Sequence, residues 1–269
     1  MIRHSPATSL AASGVVELRR YSLRPGAFED LLRLFEERLV AGQEEAGMRV
    51  GGIFADEDEP DSFVWWRGFA DMKNRRRSLE AFYNGPVWRE YMDRANSTML
   101  DSDDVILLRH TDPPHGGGID RGPGEGGRDA IATAILRQSG SLELEYWFST
   151  EFHLALEETL GARVATWRSE PAQNTFPRLP VRPEPALVWT ATFPSRFDRE
   201  VALTRLGETL PQLLESAPRS PTPGIEMMRL RPTRLSKHLA PTTPLTGRPK
   251  IEEPRHAQAQ SDPRVAKAH

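Results

Sequence analysis

One order of strand-like and helix-like segments occurs twice in this chain, on either side of a Gly- and Pro-rich stretch at residues 111–128. That duplication narrows the available folds more than any single motif does. In the first half, Val15 to Leu23 alternates as a strand and stops at Pro25-Gly26. Phe28, Leu31, Leu32, Phe35 and Leu39 then recur at helical spacing, and Gly47 ends that helix. Met48 to Ala55 and Phe63 to Ala70 are β-type runs joined by the acidic loop Asp56 to Asp61, which reads as a solvated hairpin. Met72, Leu79, Phe82 and Tyr83 mark a second helix, Asn84-Gly85-Pro86 breaks it, Trp88, Tyr91 and Met92 mark a third, and Val105 to Arg109 closes as a strand.

The second half repeats the plan. Ile131 to Leu136 is a strand, Leu144, Phe148, Phe152, Ala155, Leu156 and Leu160 lie on a helix, and Arg163 to Ser169 is a strand. A proline-rich connection, Glu170 to Pro185, leads to a strand at Ala186 to Phe193, a helix at Phe197 to Leu214 and a last strand at Gly224 to Leu230. Each half is β-α-β-β-α-β, a four-stranded antiparallel sheet with helices on one face and the other face bare. The predicted fold is α+β: two tandem ferredoxin-like βαββαβ repeats, 14–110 and 129–235, packed sheet to sheet as an α/β barrel. Residues 1–13 and the mildly basic, Pro-rich stretch 236–269 read as disordered flanks, and 111–128 as a linker.

Composition removes several function classes. The chain has 269 residues and a formal charge of −3, so no global basic field draws it to nucleic acid or an anionic membrane. No cysteine is present, which excludes disulfides, thiolate nucleophiles and thiolate metal sites, and fits a cytoplasmic protein. No apolar run approaches the roughly 20 residues of a membrane-spanning helix. Basic residues are overwhelmingly arginine, and Lys73 is the only lysine before residue 237, so there is no P-loop.

The stretch Glu17-Leu18-Arg19-Arg20-Tyr21-Ser22-Leu23-Arg24-Pro25-Gly26 resembles the opening of the NIPSNAP family. Trp66-Arg67-Gly68-Phe69-Ala70-Asp71-Met72 with Arg75-Arg76-Arg77 resembles its third strand and following helix. Asn174-Thr175-Phe176-Pro177-Arg178-Leu179-Pro180-Val181-Arg182 is similar to the second-repeat signature of two-repeat bacterial members. The resemblance implies a dimeric α/β-barrel fold, in a superfamily that includes cofactor-free monooxygenases, cyclases and heme-handling proteins.

Strand alternation places Glu17, Arg19 and Tyr21 on one face of the first strand, and Trp65 and Arg67 on one face of the third. Buried charges must pair or line a cavity. The expectation is that these five line the barrel interior, joined by Trp167 and Trp189 from the second repeat. Arg19, Trp65, Arg67, Trp167 and Trp189 would bind a small aromatic or carbonyl-bearing metabolite, with Glu17 or Tyr21 carrying protons and no metal or other cofactor taking part. Cofactor-independent monooxygenase or cyclase chemistry is one outcome. The alternative is a non-catalytic interaction or ligand-binding protein whose barrel core is solid, with paired Glu17 and arginines and space-filling tryptophans. A void of several hundred cubic ångströms would favour the first. His153, and on the same footing His110, are offered as heme ligands against a reading as surface or satisfied core groups, the run Arg75-Arg76-Arg77 reads as an exposed polar face, and the barrel is either internal to a monomer or shared in a homodimer.

Overall fold

The computed structural model describes residues 10, 13–111, 130–137, 141–218 and 225–233. The sequence-predicted flanks, linker and tail lie almost wholly outside that set. The first repeat runs β1 (Val15–Leu23), α1 (Phe28–Leu34), a π turn (Phe35–Leu39), α2 (Val40–Glu45), β2 (Arg49–Asp56), β3 (Ser62–Phe69), α3 (Met72–Tyr83), α4 (Pro86–Thr98) and β4 (Met99–His110). The second runs β5 (Ala130–Arg137), α5 (Leu142–Trp147), a π turn (Phe148–Phe152), α6 (His153–Leu160), β6 (Val164–Ser169), β7 (Ala186–Phe193), α7 (Arg196–Glu215) and β8 (Ile225–Pro232).

The eight strands close into one antiparallel barrel in the order β1-β3-β2-β8-β5-β7-β6-β4. Each repeat contributes a sheet of the ferredoxin-like order, β2-β3-β1-β4 and β6-β7-β5-β8, and the seams β2–β8 and β4–β6 join them. Each sheet edge thereby finds a hydrogen-bonding partner within the chain.

Alternation along each strand sends one set of side chains into the barrel lumen and the other under the helices. The lumen is filled by Val16 and Leu18 of β1, Phe54, Trp66, Ile106, Trp167, Val188 and Leu230, among others. It is therefore a packed core rather than a ligand chamber. Two glycines admit the N-terminal segment: a Cβ on Gly51 would stand 2.1 Å from Leu10 Cδ1, and one on Gly68 2.1 Å from Ser13 Oγ. Leu10 belongs to the lumenal cluster.

The first helix of each repeat carries a π turn at a corresponding place. Four residues overshoot one α turn and undershoot one π turn, so a side-chain spacing of four stays on one face where the two alternate. Leu31, Phe35, Leu39 and Gln43 follow that spacing in the first repeat, and Leu144, Phe148, Phe152, Leu156 and Leu160 in the second, and all are buried.

The acidic loop Asp56 to Asp61 joins β2 and β3 as the expected hairpin, and its side chains also latch the two repeats together. Glu57 is bound by buried Arg199 and by Arg196 of α7, and Asp58 by Arg229 of β8 at 2.9 Å. No helix among the described residues is long and apolar enough to cross a membrane.

Candidate functional site

Glu17, Arg19 and Tyr21 do share a face of β1, and they stand opposite Arg67, Trp65 and Phe63 of β3 in the antiparallel register. The face, however, is the one under the helices. Tyr21 and Trp65 belong to the core between the first sheet and its helices, while Trp167 packs in the lumen and Trp189 in the core under the second repeat's helices. The expected seven-residue interior site is thus three separate places. Alternation reports which residues share a face, but the identity of that face is set by which side the helices cover. The polar residues follow the helix side because Val16, Leu18, Val64 and Trp66, the apolar alternates, are what two sheets bury against each other.

At the centre of the first repeat's helix–sheet layer, the Glu17 carboxylate meets three guanidinium groups. Arg19 Nη1 donates to Oε2 at 2.7 Å, Arg67 Nε to Oε2 at 2.6 Å and Arg75 Nε to Oε1 at 2.6 Å. All four side chains are buried, so the cluster holds two positive charges in excess of its carboxylate. Arg75 corrects the reading of the arginine run as wholly exposed. The Asp71 side chain caps α3 by accepting from Asn74 N, which starts the helix where residue 75 points down at β1.

The surrounding side chains complete the environment. Arg19 Nε donates to the Tyr21 hydroxyl at 2.9 Å, Arg67 Nη1 to Gln43 Oε1 at 3.0 Å, and Arg75 Nη1 to Asn174 Oδ1 at 2.9 Å. Arg67 lies over the rings of Trp65 and Tyr83, at 5.2 and 6.0 Å. Three buried donors, Arg67 Nη2, Arg75 Nη2 and Trp65 Nε1, have no hydrogen-bond partner among the described residues. A neighbouring cavity of about 30 Å³ is walled by Tyr21, Phe35, Gln43, Trp65, Tyr83 and Trp88, among others. It has room for a water molecule and not for an aromatic ligand. Larger hollows lie elsewhere: an acidic cleft of about 390 Å³ near Arg20, Asp104 and Glu226, and a groove of about 300 Å³ beside Phe197 and Val201.

Burial alone would raise the pKa of Glu17, but the guanidiniums of Arg67, Arg19 and Arg75 outweigh it and hold the carboxyl well below the usual carboxylate range. Burial raises the Tyr21 phenol, against the pull of Arg19. Burial lowers Arg75, with Glu17 opposing. Near neutral pH Glu17 is a fixed anion and Tyr21 a neutral donor.

The second repeat lacks this chemistry. Ala132 faces Ala191, and Ala134 faces Trp189, at register positions that correspond to Glu17–Arg67 and Arg19–Trp65. Arg199 stands in α7 where Arg75 stands in α3, four residues after the capping residue, but it binds Glu57 instead. His153 is buried on α6, 3.7 Å from Glu157 Oε1 and remote in sequence and layer from the arginine cluster. Gln43, Arg75, Tyr83 and Asn174 were not singled out from sequence. Each lies in a stretch with another reading: Arg75 in the arginine run, Tyr83 on a helical apolar stripe and Asn174 in the Asn174–Arg182 motif, while Gln43 falls on the four-residue spacing from Leu31.

Residues 16–112 match the family model for NIPSNAP. Over that span the chain is similar to the NIPSNAP family. A NIPSNAP family protein from Agrobacterium tumefaciens is 24% identical, with 36% of this chain and 93% of that one covered and a TM-score of 0.34. Across both repeats, a Fusobacterium nucleatum protein provisionally assigned as a monooxygenase matches 82% of this chain and 93% of its own at 10% identity, with a TM-score of 0.53. An anthrone oxidase-like protein matches 86% and 99% at 12% identity, with a TM-score of 0.50. At those identities the likeness is one of fold. No curated protein sequence matches the chain.

Proposed function

We propose that the first repeat binds a small aromatic anion between its sheet and helices, with the ligand's negatively charged oxygen against Arg67 and Arg75. The observation that carries this reading is the surplus of buried guanidinium over carboxylate, with two Nη2 groups unpartnered beside an aromatic wall. Leaving such donors unsatisfied costs about 1–3 kcal/mol each, more for charged groups, and an anionic oxygen acceptor removes that cost. Trp65 and Tyr83 offer ring faces next to the same groups.

The site's chemical service is stabilisation of an oxyanion: a carboxylate, or the phenolate or enolate of an aromatic hydroxy or keto compound. The fold shared with proteins described as monooxygenase and anthrone oxidase-like supports an enolate or phenolate, the electron-rich form in which such rings react. A fixed anion at Glu17 and a neutral phenol at Tyr21 favour binding and polarisation over proton abstraction by either group. Glu17 serves as the counter-ion that gathers the arginines.

The test uses 4-nitrophenol, whose ionised form is coloured. On binding to the full chain it should ionise at a lower pH than it does free in solution, and Arg67→Met and Arg75→Met should each reduce that shift. Benzoate should compete and benzamide should not. Equal competition by benzamide, or an unshifted 4-nitrophenol titration, would count against an anion site.

A further inference from the structure

The Glu170–Pro185 connection belongs to the second repeat by sequence, yet its middle lies on the first repeat. Asn174 Oδ1 accepts from Arg75 Nη1 at 2.9 Å, and the Phe176 ring stacks on Tyr83 with centroids 6.0 Å apart. Thr175 Oγ1 donates to the Met72 carbonyl at 3.2 Å, and the Arg178 guanidinium sits over the Tyr83 ring, 5.9 Å from its centroid. Phe176 is counted within the first repeat's own core. Asn174 takes Arg75 Nη1, next to the unpartnered Nη2 assigned above to the ligand's oxygen, and Phe176 takes the aromatic wall, so the strap covers the approach to both.

We infer that the segment Asn174 to Leu179 is a strap that holds the place of an aromatic acid in this site and leaves when the ligand enters. The inference rests on the anion-site reading and adds to it a competitor built into the chain. Three further observations carry it. The neighbouring cavity of about 30 Å³ is too small for a ring and is walled by neither Arg75 nor the strap, so a ring held against Arg75 needs the room that the strap now fills. The strap's own internal bonds are short-range and portable: Phe176 N donates to Asn174 Oδ1, Asn174 Nδ2 to the Leu179 carbonyl, and Leu179 N to the Phe176 carbonyl. Its anchor to the barrel comes later, where Arg182 N donates to the Val105 carbonyl at 2.7 Å. Displacement therefore breaks the contacts to Arg75, Met72, Tyr83 and Asn84, withdraws Phe176 and Leu179 from the core, and spares the strand pairing on both sides. Pro177 and Pro180 stiffen the loop between those points, so it moves as a unit.

Competition lowers apparent affinity by the fraction of molecules whose strap is open. The experiment is calorimetric titration of the full chain with benzoate, in the wild type and in Asn174→Ala/Phe176→Leu, paired with amide hydrogen exchange across 172–182. The expected result is binding at least about tenfold tighter in the variant, with faster exchange across 172–182 as a whole when wild type is saturated with benzoate, because the displaced strap loses the cover of the core it now packs against. Binding seen in the variant alone would also support the strap. Weaker binding in the variant with slower exchange in the wild-type complex would make the segment a fixed wall and overturn the inference while leaving the anion site standing. Absence of benzoate binding in both folded proteins overturns the site and the strap together. Should the double variant fail to fold, Thr175→Ala loosens the same segment through its tie to Met72 and is read in the same way.

Discussion

Glu17 is the residue on which the first repeat's interior depends. Three buried guanidiniums converge on it, and without it they would repel one another in a medium that screens poorly. Glu17→Gln should therefore lower unfolding free energy by about 3–5 kcal/mol, as measured by urea titration. Arg75→Met should cost clearly less, because the remaining pair still neutralises Glu17 and one excess charge is gone. A larger loss for Arg75→Met would mean that packing, not charge balance, governs the cluster. The pH dependence follows from the same residue. Folding lowers the Glu17 pKa below its unfolded value of about 4.3, so the cluster's contribution is complete above that pH and is lost as pH falls toward the folded value. Between about pH 5 and pH 3 the urea midpoint of the wild type should fall more steeply than that of Glu17→Gln. Parallel curves would show that other carboxylates account for the acid sensitivity. Of this cluster, Glu17, Arg19 and Arg67 were legible from strand alternation. Arg75 and Asn174 were not, since they come from elements far apart in sequence, 58 and 157 residues beyond Glu17, and only the fold brings Arg75 to the carboxylate and Asn174 to Arg75.

At the scale of the element, glycines on β2 and β3 decide what reaches the lumen. Leu10 and Ser13 lie against Gly51 and Gly68 so closely that a methyl group at either glycine would collide with them. Gly68→Ala should destabilise the full chain by about 1–3 kcal/mol, and the penalty should shrink in a chain that starts at residue 14, where there is nothing to strike. Thermal melts of the four proteins test this, and an equal penalty in both lengths would place the strain within the sheet. Element positions were mostly readable: β1, α3 and β7 match their sequence-predicted spans, because apolar periodicity and the breakers around them agree. β4 begins at Met99, six residues before its predicted start, since Asp101, Ser102, Asp103 and Asp104 carry no apolar alternation to betray a strand. Their backbone is held there by pairing with β1, and Asp104 by salt bridges to Arg20 and Arg182.

For the whole molecule, closing the barrel within one chain has a consequence for its halves. The first repeat alone would expose Leu18, Phe54, Trp66 and Ile106 together with the unpaired edges of β2 and β4. Residues 13–111 expressed alone should therefore self-associate, which light scattering coupled to size exclusion would read as a mass at least twice that of the fragment. A well-folded monomer would mean that the second repeat is dispensable for covering the lumen face. The duplicated element order, the ferredoxin-like repeats and the sharing of faces by Glu17, Arg19, Tyr21, Trp65 and Arg67 were determined by sequence alone, because periodicity and chain punctuation are local properties. Which face those residues occupy, and that the lumen is solid, depended on tertiary structure, since both sides of β1 and β3 are buried and local patterning cannot tell one covering layer from another. The same holds for the strap: the Asn174–Arg182 motif is visible in sequence, but its seat on Arg75 and Tyr83 exists only once the two repeats are packed.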